Sequence, residues 1–195
     1  ARAAGAVNTI SVQLGGRVLG DNTDGEGLVR DLKNNLGAEL AGASVLMIGA
    51  GGAARGVITP LFEAGIARLV LLNRTPERAQ ALAQRFADFP IDSGGLERVP
   101  DAPVAVVINA TAGGLSGERP QIAPEWLGTQ SFCYDMVYGP AARPFLDWAE
   151  ACGVARAADG LGMLVEQAAA AFALWRGQRP ETRPVIQALR AHARA

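Results

Sequence analysis

Val45-Leu46-Met47-Ile48 is an apolar run that breaks at Gly49-Ala50-Gly51-Gly52 and resumes from Ala53 with helical spacing. No other feature limits the fold as tightly, because strand, glycine turn and helix in that order are the opening of a βαβ unit. Gly49, Gly51 and Ala54 fit the G-x-G-x-x-G/A spacing of a dinucleotide-binding turn. Backbone N–H groups at such a helix start point toward a pyrophosphate, and the positive end of the helix dipole attracts it. Side chains at Gly49 and Gly51 would block that approach, and Ala54 keeps the helix close to the strand. Gly49, Gly51 and Ala54 therefore mark a candidate pyrophosphate turn.

Apolar strands and helices alternate beyond this point. Strands are expected at residues 44–48, 68–73, 104–109 and 131–135, and helices at 53–64, 76–86 and 144–151. Near-continuous apolar strands between helices indicate a parallel sheet covered on both faces, an α/β, Rossmann-like doubly wound architecture. Pro60 should kink its helix against the Gly56 carbonyl. Before this unit, runs at 6–12 and 17–19 flank Gly15-Gly16 as a hairpin, and a helix at 27–36 stops at Gly37. After it, helices at 161–175 and 182–193, separated by Arg179-Pro180, leave the sheet.

The formal net charge of -1 offers no footprint for nucleic acid or an anionic membrane. No apolar stretch is long enough to span a bilayer and no signal peptide is visible, so a cytoplasmic setting is expected. Cys133 and Cys152 are too few and too far apart for a metal knuckle, and no metal site is expected. Cys133 reads as a small buried hydrophobe and His192, the single histidine, as a surface helix residue.

The cofactor is narrowed by the end of the second strand. An NAD site normally places Asp or Glu there, to accept from the ribose hydroxyls. This chain has Asn73-Arg74-Thr75, followed one helical turn later by Arg78. Guanidinium groups favour a 2′-phosphate, so NADP is the expected cofactor.

Several further segments lie in a telling order: Asn8-Thr9, Asp21-Asn22-Thr23-Asp24-Gly25, Asn109-Ala110-Thr111, Tyr134-Asp135-Met136-Val137-Tyr138, and Asp159-Gly160 running on to Glu166-Gln167. With the glycine turn and Asn73-Arg74-Thr75, the chain resembles the shikimate dehydrogenase family from about Gly5 to its end. The resemblance implies NADP-dependent interconversion of 3-dehydroshikimate and shikimate in aromatic amino-acid biosynthesis. It implies that Asn8 and Asp24 hydrogen-bond the substrate hydroxyls and that Tyr138 and Gln167 face the substrate. It assigns Gly49, Ala50, Gly51, Gly52 and Ala53 to the pyrophosphate of NADP, Asn73, Arg74, Thr75 and Arg78 to its 2′-phosphate end, and Met136 and Gly160 to the nicotinamide region. Residues 1–24 then correspond to a remnant of an α/β substrate domain, 25–159 to the NADP-binding domain, and 160–195 to helices packing back on the substrate domain. A monomer or homodimer is expected.

Asp24 is the catalytic candidate, since the family pairs this aspartate with a lysine as acid and base. Of 18 basic residues 17 are arginine. The sole lysine, Lys33, does not match the family's position and reads as a solvated helix residue. The family's lysine and its serine motif for the substrate carboxylate lie ahead of the position of Ala1, so low turnover by this chain alone is expected. Taken singly, each residue has a plainer reading: Asp24 as a helix cap, Asn8 as a strand end, Tyr138 as a loop anchor, Gln167 as a polar helix position and Met136 as core. Competing functions are a quinate/shikimate dehydrogenase, glutamyl-tRNA reductase, and a non-catalytic NADP-binding module.

Overall fold

A computed structural model describes residues 1–2 and 4–192. Six parallel strands form the central sheet: β3 (Ser44–Ile48), β4 (Arg68–Leu72), β5 (Ile91–Gly94), β6 (Val106–Asn109), β7 (Phe132–Asp135) and β8 (Arg156–Ala158). Their spatial order is β5-β4-β3-β6-β7-β8. The chain therefore builds outward from β3 on one side, then crosses back to begin the other side at β6. That reversal leaves a crevice at the carboxyl ends of β3 and β6, where open α/β sheets bind ligands.

The strands are apolar throughout because both faces are covered. Along β3, Val45 and Met47 join one core with Leu28, Val57, Ile58 and Leu61, whereas Leu46 and Ile48 join the other with Trp126 and Phe145. This period-two division puts α1 (Asp24–Arg30) and α2 (Gly52–Glu63) on one face and α4 (Arg143–Ala151) on the other. The helix α3 (Pro76–Gln84) follows β4, and its buried Ala79 and Leu82 join the first core.

Strands β5 and β8 are additions to the sequence expectation. Ile-Asp-Ser-Gly in β5 carries little strand propensity and is held by its register against Leu69 to Leu72. The expected hairpin forms as a separate two-stranded sheet, β1 (Thr9–Val12) with β2 (Val18–Asp21), shorter at its start than the apolar run.

The helix expected to begin at residue 27 begins at Asp24, and past Arg30 it widens into a π turn, Asp31–Asn35. Its glycines are contact surfaces rather than breakers. A Cβ on Gly25 would fall 2.8 Å from the Gly56 carbonyl and closer still to Pro60; one on Gly27 would fall 2.8 Å from the Met163 carbonyl. Helix α2 continues through Pro60 as one element, and Gly25 lies against the Gly56 carbonyl that Pro60 cannot serve as a donor. The late helices are α5 (Leu161–Arg176) and α6 (Arg183–His192); the expected end of the second, Ala193, lies outside the described residues. The Trp175 indole N–H donates to the Ile10 carbonyl at 2.9 Å, tying the hairpin to α5.

Candidate active site

At the carboxyl end of β3 the chain turns sharply. Gly49 has φ 107°, and a Cβ there would lie 3.0 Å from the Ala110 carbonyl, so the position requires glycine. Gly51 is the extended residue preceding α2, and space opens beyond both Gly51 and Gly52, where an added Cβ would meet no atom within 4 Å. The Asn73 side chain braces the turn: it accepts from the Ala50 N–H at 3.3 Å and donates to the Thr75 carbonyl at 2.9 Å. Asn73 therefore shapes the site from behind, while Arg74 and Thr75 are exposed.

A cleft of about 300 Å³ runs from Ala50, Gly51 and Gly52 across to α3, with Arg55, Arg78 and Arg85 among its walls. Among the described residues, none of these arginines is paired with a carboxylate. Free N–H groups at a helix start, open space beside the glycines and uncompensated guanidinium charge fit a phosphate-rich dinucleotide.

The second wall of the crevice is made by β6 and β7. Asn109 donates to the Asp135 carboxylate at 2.8 Å and accepts from the Thr111 hydroxyl at 2.7 Å. Asp135 also accepts from the Val137 N–H at 3.0 Å, which sets the loop carrying Met136 and Tyr138. Burial raises the Asp135 carboxyl to about 6, against the partial relief of those two hydrogen bonds. Gly160 closes on this loop: a Cβ there would lie 2.3 Å from the Met136 carbonyl, so Met136 and Gly160 are neighbours. Tyr138 is half exposed and makes no hydrogen bond to Asn8, Asp24 or Gln167 among the described residues.

Asn8, Asp24 and Gln167 meet in one cluster through Thr23: the Asn8–Asp24 bond spans 16 residues and the Thr23–Gln167 bond 144. The Asn8 amide donates to Asp24 Oδ1 at 2.9 Å, and its carbonyl oxygen accepts from the Thr23 N–H at 3.0 Å. The Thr23 hydroxyl reaches Gln167 Oε1 at 3.3 Å. Asp24 does not cap α1; Thr23 occupies the cap position without a side-chain bond to the helix. Among the described residues, Asp24 Oδ2 makes no hydrogen bond. Lys33 is exposed on the π turn.

Comparison with known proteins gives this arrangement a family. A family model described as shikimate / quinate 5-dehydrogenase matches residues 31–115, and one described as shikimate 5'-dehydrogenase C-terminal domain matches 160–190. The shikimate dehydrogenase (NADP(+)) of Thioalkalivibrio sulfidiphilus is 54% identical over 97% of this chain and 70% of its own length. The chain belongs to the shikimate dehydrogenase family. A second relative of the same name, from Alkalilimnicola ehrlichii, is 53% identical over 97% of this chain and 70% of its own. The shikimate 5-dehydrogenase of Thermus thermophilus, solved in complex with NADP(H) and shikimate, matches with a TM-score of 0.80 at 36% identity, covering 97% of this chain and 69% of that one. The doubly wound parallel sheet is thus the fold of shikimate dehydrogenases.

A buried polar network links further elements that lie far apart in the chain. Behind the Asp24 cluster, Tyr134 on β7 donates to Asp31 at 2.7 Å, and Asn35 donates to both Asp31 at 2.9 Å and Glu166 at 3.1 Å. Glu166 also accepts from Thr182 at 2.6 Å, Arg30 at 3.1 Å and Arg179 at 3.2 Å. Burial raises both Asp31 and Tyr134, the Asp31 carboxylate adding to the Tyr134 shift. Burial pushes Glu166 the same way, but its four donors outweigh it and hold the carboxyl below its usual value. Two nearly inaccessible carboxylates therefore join the central sheet to α1, α5 and the segment that leads into α6. Asp31 lies in none of the segments that carry the family resemblance, and Glu166 lies in one without a role assigned to it; the burial of both shows only in the fold.

Proposed function

We propose that the protein interconverts shikimate and 3-dehydroshikimate using NADP, with the hydroxyl-bearing ring held by Asn8, Asp24, Tyr138 and Gln167. The observation carrying this reading is the convergence of Asn8, Thr23, Asp24 and Gln167 from three separate elements onto one hydrogen-bonded cluster. A polyhydroxylated ring needs fixed donors and acceptors, and these side chains supply both. When bound, NADP+ accepts the hydride from the secondary alcohol and NADPH returns it to the ketone.

Asp24 serves acid/base chemistry. Asn8 fixes one carboxylate oxygen and leaves the other to hold a substrate hydroxyl or to orient and balance the ammonium group with which the family pairs it. Gly49, Ala50, Gly51, Gly52 and Ala53 hold the pyrophosphate; Arg74, Thr75 and Arg78 hold the 2′-phosphate, with Asn73 bracing them. Met136 and Gly160 line the nicotinamide region. In this reading residues 1–24 belong to the substrate side, 25–159 to the cofactor domain and 160–195 to the helices that close back. A cytoplasmic monomer or homodimer completes it. Among the described residues no helix is long and apolar enough to cross a membrane.

Initial rates of NADP+ and NAD+ reduction with shikimate or quinate, in the intact protein, test the proposal. Shikimate with NADP+ is expected to be the preferred pair, and Asp24→Asn to lower turnover by about 100- to 10,000-fold. Equal use of NAD+, a preference for quinate, or full activity in Asp24→Asn would overturn it.

A further inference from the structure

Arg55 is unusual in facing both halves of the site. It stands on the first turn of α2, and its side chain forms part of the cleft wall beside Gly51 and Gly52. Its Nη2 donates to the Gly5 carbonyl at 2.9 Å. Gly5 has φ +56°, and a Cβ there would fall 2.8 Å from the Arg55 guanidinium carbon, so the bare glycine backbone rests directly on the guanidinium. The Arg55 Nε is buried and has no hydrogen-bond partner among the described residues.

The segment resting on Arg55 leads straight to the substrate cluster. Buried Ala4 packs toward Gly56 on the next position of α2, and Asn22 donates to the Ala6 carbonyl at 3.4 Å. Two residues after Ala6, Asn8 holds both Asp24 and the Thr23 N–H. One guanidinium thus stands between the cleft and the strand entry that places Asn8.

We propose that Arg55 is a positioning residue that couples cofactor binding to substrate binding, using its spare donors for a phosphate oxygen in the cleft and its face to seat Gly5. This rests on the reading of the cleft as the NADP phosphate site. A phosphate beside Arg55 restrains the guanidinium, and the restrained guanidinium fixes the Gly5 backbone and hence Asn8. Lysine preserves the charge at this position but neither the planar face nor the fork of donors.

The test is the coupling factor, the ratio of shikimate dissociation constants without and with NADP+, measured by titration calorimetry on the intact protein. By linkage the same factor must appear in NADP+ affinity when shikimate is added. The wild type is expected to show coupling of about 5-fold or more, and Arg55→Gln and Arg55→Lys to bring the factor close to 1. Gly5→Ala keeps the arginine but displaces its face, and is expected to lower the factor with a smaller loss of NADP+ affinity than Arg55→Gln. Arg78→Ala separates the two readings, because it should weaken NADP+ while preserving the factor. Coupling that survives Arg55→Gln and Gly5→Ala, with Arg78→Ala still weakening NADP+, would overturn the role of Arg55 alone. NADP+ affinity unchanged in both Arg78→Ala and Arg55→Gln would overturn the cleft assignment as well.

Discussion

The two ends of the site are built from different material. At the glycine turn the chain presents backbone: Gly51 and Gly52 face open space, and Arg55, Arg78 and Arg85 stand nearby with no carboxylate partner among the described residues. Around Asp24 the site consists of side chains already bonded to one another: Asn8 to Asp24 and Thr23, and Thr23 to Gln167. The turn is prepared for a ligand that brings its own charge and contributes little to holding the fold. The Asp24 cluster belongs to the fold itself, as it joins the hairpin, α1 and α5. Changes at the turn should therefore separate binding from stability, and changes in the cluster should move both.

The sharpest way to break this contrast is Gly51→Asp. Aspartate is a good residue before a helix start and is favoured by the dipole there, so melting temperature should hold or rise. Its carboxylate would stand in the proposed pyrophosphate site, and NADP+ affinity should fall by at least about 100-fold. A parallel loss of stability would show that the turn is part of the structural framework after all.

Arg78→Ala comes next in size. Losing the proposed charged hydrogen bond to the 2′-phosphate corresponds to about 1.5–3 kcal/mol, or roughly 10- to 150-fold in NADP+ affinity. NAD+ affinity should hardly move, and the preference between the two cofactors, measured by fluorescence titration, reads the difference directly. In the cluster, Asn8→Ala should cost about 1 kcal/mol of stability by denaturant titration. It should also raise the shikimate KM and leave NADP+ affinity unchanged.

The smallest expected effect is a pH dependence at Asp135. Its folded carboxyl is raised from 3.8 to about 6 by burial, so the native state favours the protonated form. The stabilisation linked to that proton is complete below the unfolded value and is lost as pH rises through about 6. Asp135→Asn should remove this part of the decline, visible as a flatter profile of melting temperature between about pH 4 and pH 7. Glu166 works in the opposite sense: its lowered carboxyl stabilises the fold above the ordinary carboxylate range, and that contribution is lost on acidification.

Local patterns made the central strands and the glycine turn legible in the sequence. Continuous apolar runs gave β3, β4, β6 and β7, and the glycine spacing fell at the turn between β3 and α2. Strand β5 was hidden because Asp92, Ser93 and Gly94 resemble a turn, and the sheet register supplies what local propensity lacks. Helix α1 begins three residues before the apolar spacing that announces it, because Asp24 and Gly25 belong by residue type to the loop rich in capping residues that precedes it. The purpose of Gly25 and Gly27, close approach to α2 and α5, depends on residues far along the chain. Asn8, Asp24 and Gln167 were picked out by family resemblance, and the fold shows them in hydrogen-bond contact through Thr23. The Tyr134–Asp31 bond spans 103 residues and the Asn35–Glu166 bond 131, so no periodicity along the chain could announce either.

A crystal structure of the intact protein with NADP+ and shikimate bound together tests the central claim most directly. The 2′-phosphate is expected on Arg74, Thr75 and Arg78, the pyrophosphate over Gly51 and Gly52, and the shikimate hydroxyls on Asn8, Asp24 and Gln167. Shikimate bound away from Asp24, or a cofactor lying outside the glycine turn, would contradict it.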